Sequence, residues 1–319
     1  MMTTRIQALL LVLIILISVA ITRTQISAPA FSAADNVSVS DSGQPRTVQN
    51  TTFDLRASVG ASVAADPQFP RRKWDVLDPR VDAEALLVQS LDTDFPFFRL
   101  NTYTEWPMAS LTKLLTAVTV LEDMGSNKKI PISETAVETE GFSGELKSGE
   151  VYSAEDLLKI LLMVSSNDAA VAFEEYGGGK EKFVSQLAEK AKAIAMNRVV
   201  LKDASGLSDT NVGTANDLLK LVRYIVERHP DIFSWTRLPV VVVQPLNSTT
   251  IKTIENIDPL VTEKNFLGGK TGTSPAAREN LVALFSFHNQ RIAMIILGSR
   301  DRMRTAREIL KWVEEAYQW

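Results

Sequence analysis

Ser110-Leu111-Thr112-Lys113 puts a hydroxyl and an amine three residues apart, at the start of an apolar helical pattern and so on one face. Serine is a weak nucleophile until a base takes its proton. Lysine serves as that base where burial or neighbouring cations depress its pKa. A helix start also offers N–H groups and a positive dipole to a developing oxyanion. The pattern alone is unspecific, because Ser126-Asn127-Lys128-Lys129 repeats it in a polar stretch with no apolar helix behind it. Two further groups add specificity. Ser165-Ser166-Asn167 closes the strongly apolar helix LLKILLMV, where a Ser and an Asn would point into a cleft. Lys270-Thr271-Gly272 follows Gly268-Gly269 and precedes Thr273 and two apolar runs, offering a charge and a hydroxyl from a strand. Gly272 would let a substrate backbone lie close. Each group alone is an ordinary cap or turn. All three in this order, on helix start, helix end and strand, are hard to explain by chance.

Composition removes the main competitors. The chain has 319 residues and no cysteine, which excludes thiol nucleophiles, thiolate metal sites and disulfides. It has two histidines: His229 ends a helix beside Pro230, and His288 falls in a turn. There is no G-x-S-x-G elbow and no H-E-x-x-H pair, so neither a Ser-His-Asp hydrolase nor a zinc enzyme fits. No metal and no cofactor is expected. With 34 basic and 38 acidic residues the net charge is −4, which gives no footprint for nucleic acid.

These residues must be positioned by the rest of the chain. Residues 1–30 hold Arg5 and an apolar run, Ile6–Ile21, short for a bilayer that needs about 20 residues. They read as a signal peptide or an uncleaved membrane anchor, and either places the body outside the cytoplasm, in the cell envelope. Residues 31–73 are rich in Ser, Thr, Ala and Asp and read as a flexible linker. The body, 74–319, opens with strand patterns at Ala85–Leu91 and Phe97–Leu100 around an Asp-Thr-Asp turn. Helical patterns cover Ser110–Leu121, the run after Ser153 with its Asp156 capping box, Asp168–Tyr176, Glu181–Ala195 and Ala215–Arg228. Strand patterns return at Leu281–Phe287 and Ile292–Leu297, with a turn at 288–291, and a helix over Thr305–Tyr317 closes the chain. This order predicts an α+β fold: one antiparallel sheet of roughly five strands, built from both chain ends. Helices would cover both faces and form a separate helical lobe.

The motifs and the phrases around them, PMASLTKLLTA, ELKSGEVYSAEDLLKILLMVSSNDAAVA, DASGLSDTNVGTANDLLKL and FLGGKTGTSPAARENLVALFSF, resemble the penicillin-binding D-alanyl-D-alanine carboxypeptidases, relatives of the serine β-lactamases. The resemblance runs from about Ala85 to Trp312 and implies that same fold. It implies that Ser110 attacks the penultimate D-Ala carbonyl to form an acyl-ester, and that Lys113 accepts its proton. Ser165 would relay a proton to the leaving nitrogen, and Asn167 would hold substrate and orient Lys113. Lys270 would supply positive potential, Thr271 would contact the terminal carboxylate, and Gly272 would line the strand. The N–H groups of Ser110 and Thr273 would form the oxyanion hole. Arg302 stands where the family has a carboxylate-facing Arg, with a solvated Arg at a helix entrance as the alternative. The implied partners are peptidoglycan stem peptides ending in D-Ala-D-Ala, β-lactam antibiotics as covalent inhibitors, and the membrane if the leader is retained.

The chain departs from the family in three places. Ser166 stands where Gly is common, Thr273 where His is frequent, and the sequence ends soon after the closing helix, without the β domain and amphipathic tail of better-known members. Alternatives are a D,D-endopeptidase acting on cross-links, a serine β-lactamase, and a catalytically silent β-lactam or peptidoglycan sensor. No E-x-x-L-N segment follows S-x-N, which counts against β-lactamase. The intact Ser110, Lys113, Ser165 and Lys270 count against a silent sensor.

Overall fold

The computed structural model describes residues 69–141 and 144–319, and the leader and most of the linker read from the sequence lie outside the described residues. Five strands form the main sheet: β1 (Ala85–Ser90), β2 (Pro96–Leu100), β3 (Phe266–Ser274), β4 (Arg278–Phe287) and β5 (Gln290–Ser299). Their order is β3-β4-β5-β1-β2, with every neighbouring pair antiparallel. The two chain ends therefore meet at the β5–β1 ladder, where Met294 pairs with Val88. This is the α+β arrangement expected from the sequence.

Strand side chains alternate between two buried faces. Leu87, Val282, Leu284, Ala293 and Ile295 pack into a core shared with the helices of the middle of the chain. Leu86, Val88, Leu281, Ala283, Met294 and Ile296 pack into a second core with Ile309, Trp312 and Val313 of the closing helix. Burial on both faces explains why these strands read as continuous apolar runs and not as alternating ones.

Besides a four-residue helical turn, Glu134–Val137, the helices are α1 (Thr112–Asp123), α2 (Ala154–Met163), α3 (Asn167–Tyr176), α4 (Lys180–Ala193), α5 (Ala215–Arg228), α6 (Asp231–Arg237) and α7 (Arg302–Ala316). Ser153 caps α2 by accepting from the Asp156 N–H, as the capping box predicts. Helices α1 to α4 pack on one another as the helical lobe. Among the described residues no helix is long and apolar enough to cross a membrane.

The differences from the sequence reading have local causes. Ser110 sits in a 3-10 turn, Ala109–Leu111, and α1 proper begins at Thr112. The turn between β4 and β5 narrows to His288 and Asn289, both left-handed with φ of 45° and 61°. That is a two-residue hairpin turn, so Gln290 and Arg291 join the ladder. Helix α6 and a two-stranded ribbon, Val240–Val243 with Lys252–Glu255, were not anticipated.

Thr214 caps α5: its buried hydroxyl accepts from the Asp217 N–H at 3.1 Å and donates to Asp217 Oδ2 at 2.7 Å. Removing such a cap costs about 1–2 kcal/mol. Thr214→Ala is expected to lower the unfolding free energy by that amount in denaturant titration, and an unchanged midpoint would contradict the capping role.

Candidate active site

Three segments distant in sequence converge at one edge of the sheet. The 3-10 turn bearing Ser110 lies against β3, and a Cβ built on Gly272 would stand 2.9 Å from Met108 O and 3.2 Å from the nitrogens of Ser110 and Leu111. The close approach that Gly272 permits is thus made by the chain's own backbone, where the sequence reading had reserved the space for substrate. Asn280 on β4 fastens the same turn. Its Nδ2 donates to Pro107 O at 2.8 Å and Met108 O at 3.2 Å, while its Oδ1 accepts from the Gly298 N–H.

Lys113, on the first turn of α1, is fully buried. Its Nζ donates to Ser110 Oγ at 3.1 Å, Asn167 Oδ1 at 2.7 Å and Ser205 O at 2.6 Å. Burial pushes its pKa well below the usual lysine value, the charge of Lys270 pushes it further down, and Asp203 acts the other way. An amine so placed can exist neutral, with a lone pair for the Ser110 hydroxyl.

The Ser165-Ser166-Asn167 group lies at a junction between two helices and not simply at the end of one. Ser165 bridges them with a left-handed backbone, φ 59°. Ser166 caps α3 and Asn167 is its first residue. The bend turns Ser165 Oγ toward β3, where it accepts from Lys270 Nζ at 3.0 Å, and turns Asn167 toward Lys113. Asn167 Nδ2 also donates to Glu140 O.

Lys270 is buried on β3, and its Nζ also donates to Thr271 O at 2.7 Å. Burial lowers its pKa to about 7, with Asp258 acting upward and Arg302 downward. Thr271 is buried beside it and Thr273 is exposed. Arg302 is no freely solvated arginine: its side chain is 17 % exposed. Its Nη1 donates to Thr273 Oγ1 at 2.6 Å and Gly272 O at 3.3 Å. The two histidines are engaged elsewhere, His229 with Glu122 at 2.7 Å and His288 stacked on Trp319.

One supporting loop was given no role from the sequence. In Asp203-Ala204-Ser205-Gly206-Leu207, the Asp203 carboxylate accepts from the N–H groups of Ser205, Gly206, Leu207 and Ser208 and from Ser205 Oγ. Burial pushes its carboxyl up, but the donated hydrogen bonds outweigh this and hold it below the usual range. The loop is closed by Thr116 Oγ1 donating to Ala204 O and by the Ala204 N–H donating to Glu174. The signal available in the sequence was an Asp followed two residues on by Ser-Gly, a pattern that favours an Asx turn. What it could not show is that the turn delivers Ser205 O to Lys113.

A serine bonded to a buried lysine of lowered pKa, a second serine bonded to another buried lysine, and an arginine beside the same strand are an arrangement able to carry out acyl transfer from a serine. Residues 73–301 match the D-alanyl-D-alanine carboxypeptidase family. The chain belongs to that family, whose chemistry makes it a serine peptidase and hydrolase. Among its relatives is a D-alanyl-D-alanine endopeptidase of Pseudomonas aeruginosa, 29% identical over 278 residues, covering 84% of this chain and 88% of the relative. Another is the D-alanyl-D-alanine carboxypeptidase DacF of Bacillus subtilis, 24% identical over 246 residues, covering 74% and 62%. The fold is that of a D-alanyl-D-alanine carboxypeptidase from Mycobacterium tuberculosis, at a TM-score of 0.71, 24% identity, and coverage of 77% and 96%. It is also that of a penicillin-binding protein from Listeria monocytogenes in its cefotaxime-bound form, at 0.66, 23% identity, and coverage of 75% and 99%.

Gly206 has φ +84°, and a Cβ there would stand 1.9 Å from Ala109 O, next to Ser110. A displacement of about 1 Å at a reacting group can cost about 10²-fold in rate. Gly206→Ala is expected to slow acylation of the protein by a β-lactam by that order, measured on protein shown by thermal melting to be folded. Wild-type acylation rates would contradict the packing described.

Proposed function

We propose that the chain is a serine-type D-Ala-D-Ala carboxypeptidase of the cell envelope that removes the terminal D-Ala from peptidoglycan stem peptides and is acylated by β-lactams. The observation that carries this reading is the Lys113 amine, buried and within 3.1 Å of Ser110 Oγ. In this scheme Lys113 takes the hydroxyl proton as Ser110 attacks the penultimate carbonyl. The N–H groups of Ser110 and Thr273 receive the oxyanion. Ser165 passes a proton to the departing D-Ala nitrogen. Lys270 holds it in line through the 3.0 Å bond, and Asn167 keeps Lys113 turned toward Ser110. Lys270, Thr271 and Arg302 face the substrate's terminal carboxylate, with Gly272 admitting the backbone turn that carries Ser110. Water then releases the acyl group. The body from 74 to 319 is the catalytic domain, and residues 1–30 export it or tether it to the membrane.

A second reading, cleavage of D,D cross-links, is favoured by relatives that carry the name D-alanyl-D-alanine endopeptidase. The chemistry is the same and only the group leaving from the D-Ala carbonyl differs. Fluorescent penicillin is expected to label the wild-type protein covalently and to leave Ser110→Ala unlabelled. Labelling of that variant at the wild-type level would overturn the assignment. Mass spectrometry of products separates the two readings: free D-Ala from a pentapeptide marks a carboxypeptidase, and monomers from a cross-linked dimer mark an endopeptidase. Rapid hydrolysis of the drug, with no lasting label, would instead mark a β-lactamase.

A further inference from the structure

Lys270 carries a buried amine with no carboxylate hydrogen-bonded to it among the described residues. The residue is 1% exposed, and its Nζ donates to two neutral oxygens, Ser165 Oγ and Thr271 O. A buried charge without a counterion costs several kcal/mol. The guanidinium of Arg302 on α7 and the buried amine of Lys113 on α1 share its surroundings. Asp258 shows the complementary deficit. It is 4% exposed, its Oδ1 caps the 3-10 turn Pro259–Thr262 by accepting from the Leu260 N–H, and its Oδ2 is buried without a hydrogen-bond partner among the described residues. The Nε of Arg302 is likewise buried with no partner among the described residues.

Asp258 is also tied mechanically to the strand that bears Lys270. Its N–H donates to Asn256 Oδ1, and Asn256 Nδ2 donates to Thr236 O. Thr236 Oγ1 accepts from the N–H of Gly269, the residue before Lys270. The Ile257 N–H donates to Met163 O at the end of α2, two residues before Ser165. The carboxylate is therefore held on both elements that meet at the Lys270–Ser165 hydrogen bond. Burial pushes the Asp258 carboxyl above its ordinary value, while the Leu260 N–H and the charges of Lys270 on β3 and Arg302 on α7 act downward. Of the groups acting on Lys270, Asp258 is the anion and Arg302 the opposing cation.

We propose that Asp258 is a positioning residue whose buried carboxylate keeps the Lys270 side chain charged, so that the cleft can hold an anionic substrate terminus up to neutral pH. The proposal rests on the reading of Lys270 as the carboxylate-facing cation. Burial brings Lys270 to about 7 even with Asp258 present, so little margin remains. Loss of the Asp258 charge lowers the Lys270 pKa, and the cation then disappears at a lower pH.

The test is the second-order rate of labelling by a fluorescent penicillin, whose own carboxylate needs the same cation, followed across about pH 5 to 9. Asp258→Asn keeps the volume and the Oδ1 cap while removing the charge. The wild-type alkaline limb is expected near pH 7, about where Lys270 titrates. In Asp258→Asn it moves ~1 unit toward acid, so labelling above the limb slows about tenfold while rates on the acid side agree. Asp258→Glu, which restores the charge, is expected to bring the limb back toward its wild-type position. An unmoved limb in Asp258→Asn overturns this inference alone, as does a uniform slowing at every pH, the sign of a merely structural role. Wild-type protein that takes no label at all overturns the acyl-enzyme reading and this inference with it.

Discussion

The structure depends on burying one lysine amine. Lys113 has no exposure to solvent, and the charged form of so deeply buried an amine is strongly disfavoured. The fold meets this constraint by surrounding Nζ with three oxygens, each from a different part of the chain: Ser110 Oγ, Asn167 Oδ1 and Ser205 O. Each oxygen needs its own support. Asn280 and Gly272 seat the Ser110 turn, the Ser166 cap starts α3 at Asn167, and the Asp203 carboxylate folds the loop that presents Ser205 O. Loss of any one support leaves a buried amine short of a partner, so local stability and reactivity are coupled at this point.

Two lysines in one cleft serve opposite electrostatic ends. Lys113 is drawn toward neutrality by burial and by the nearby Lys270 charge, which suits a proton acceptor. Lys270 is also buried, but Asp258 acts in its favour and brings it to a value where charge persists near neutrality. In the proposed scheme the two environments divide the roles of base and anion-holder between residues of one type. Arg302 adds fixed charge at the mouth, where its contact with Thr273 Oγ1 orients it along β3.

Much of this was legible in the sequence because apolar periodicity and capping chemistry are local properties. The helix over Ala215–Arg228, the capping box at Ser153 and the paired apolar runs of β4 and β5 all read directly. The three motifs were legible as residue types in an informative order. Their geometry was not, because it is set by long-range packing. The left-handed φ of Ser165, the 3-10 turn under Ser110 and the approach of that turn to Gly272 arise only once β3 lies beside the start of α1. The Asp203 loop and Asp258 escaped for the same reason. An acidic residue in a turn is ordinary in sequence, and its importance appears only when its oxygens are found facing inward. The ribbon at Val240–Val243 is a run of four valines with exposed Val240 and Val242, a strand signal that pairs locally and adds nothing to the main sheet.

The central claim, that burial holds the amine beside Ser110 well below the ordinary lysine pKa, is open to direct observation. Selective carbon-13 labelling of lysine side chains, with the Lys113 resonance assigned by Lys113→Arg, would follow its titration by NMR. The account predicts a midpoint well below the ordinary lysine value of 10.5. A Lys113 resonance that titrates at or above that ordinary value would contradict it.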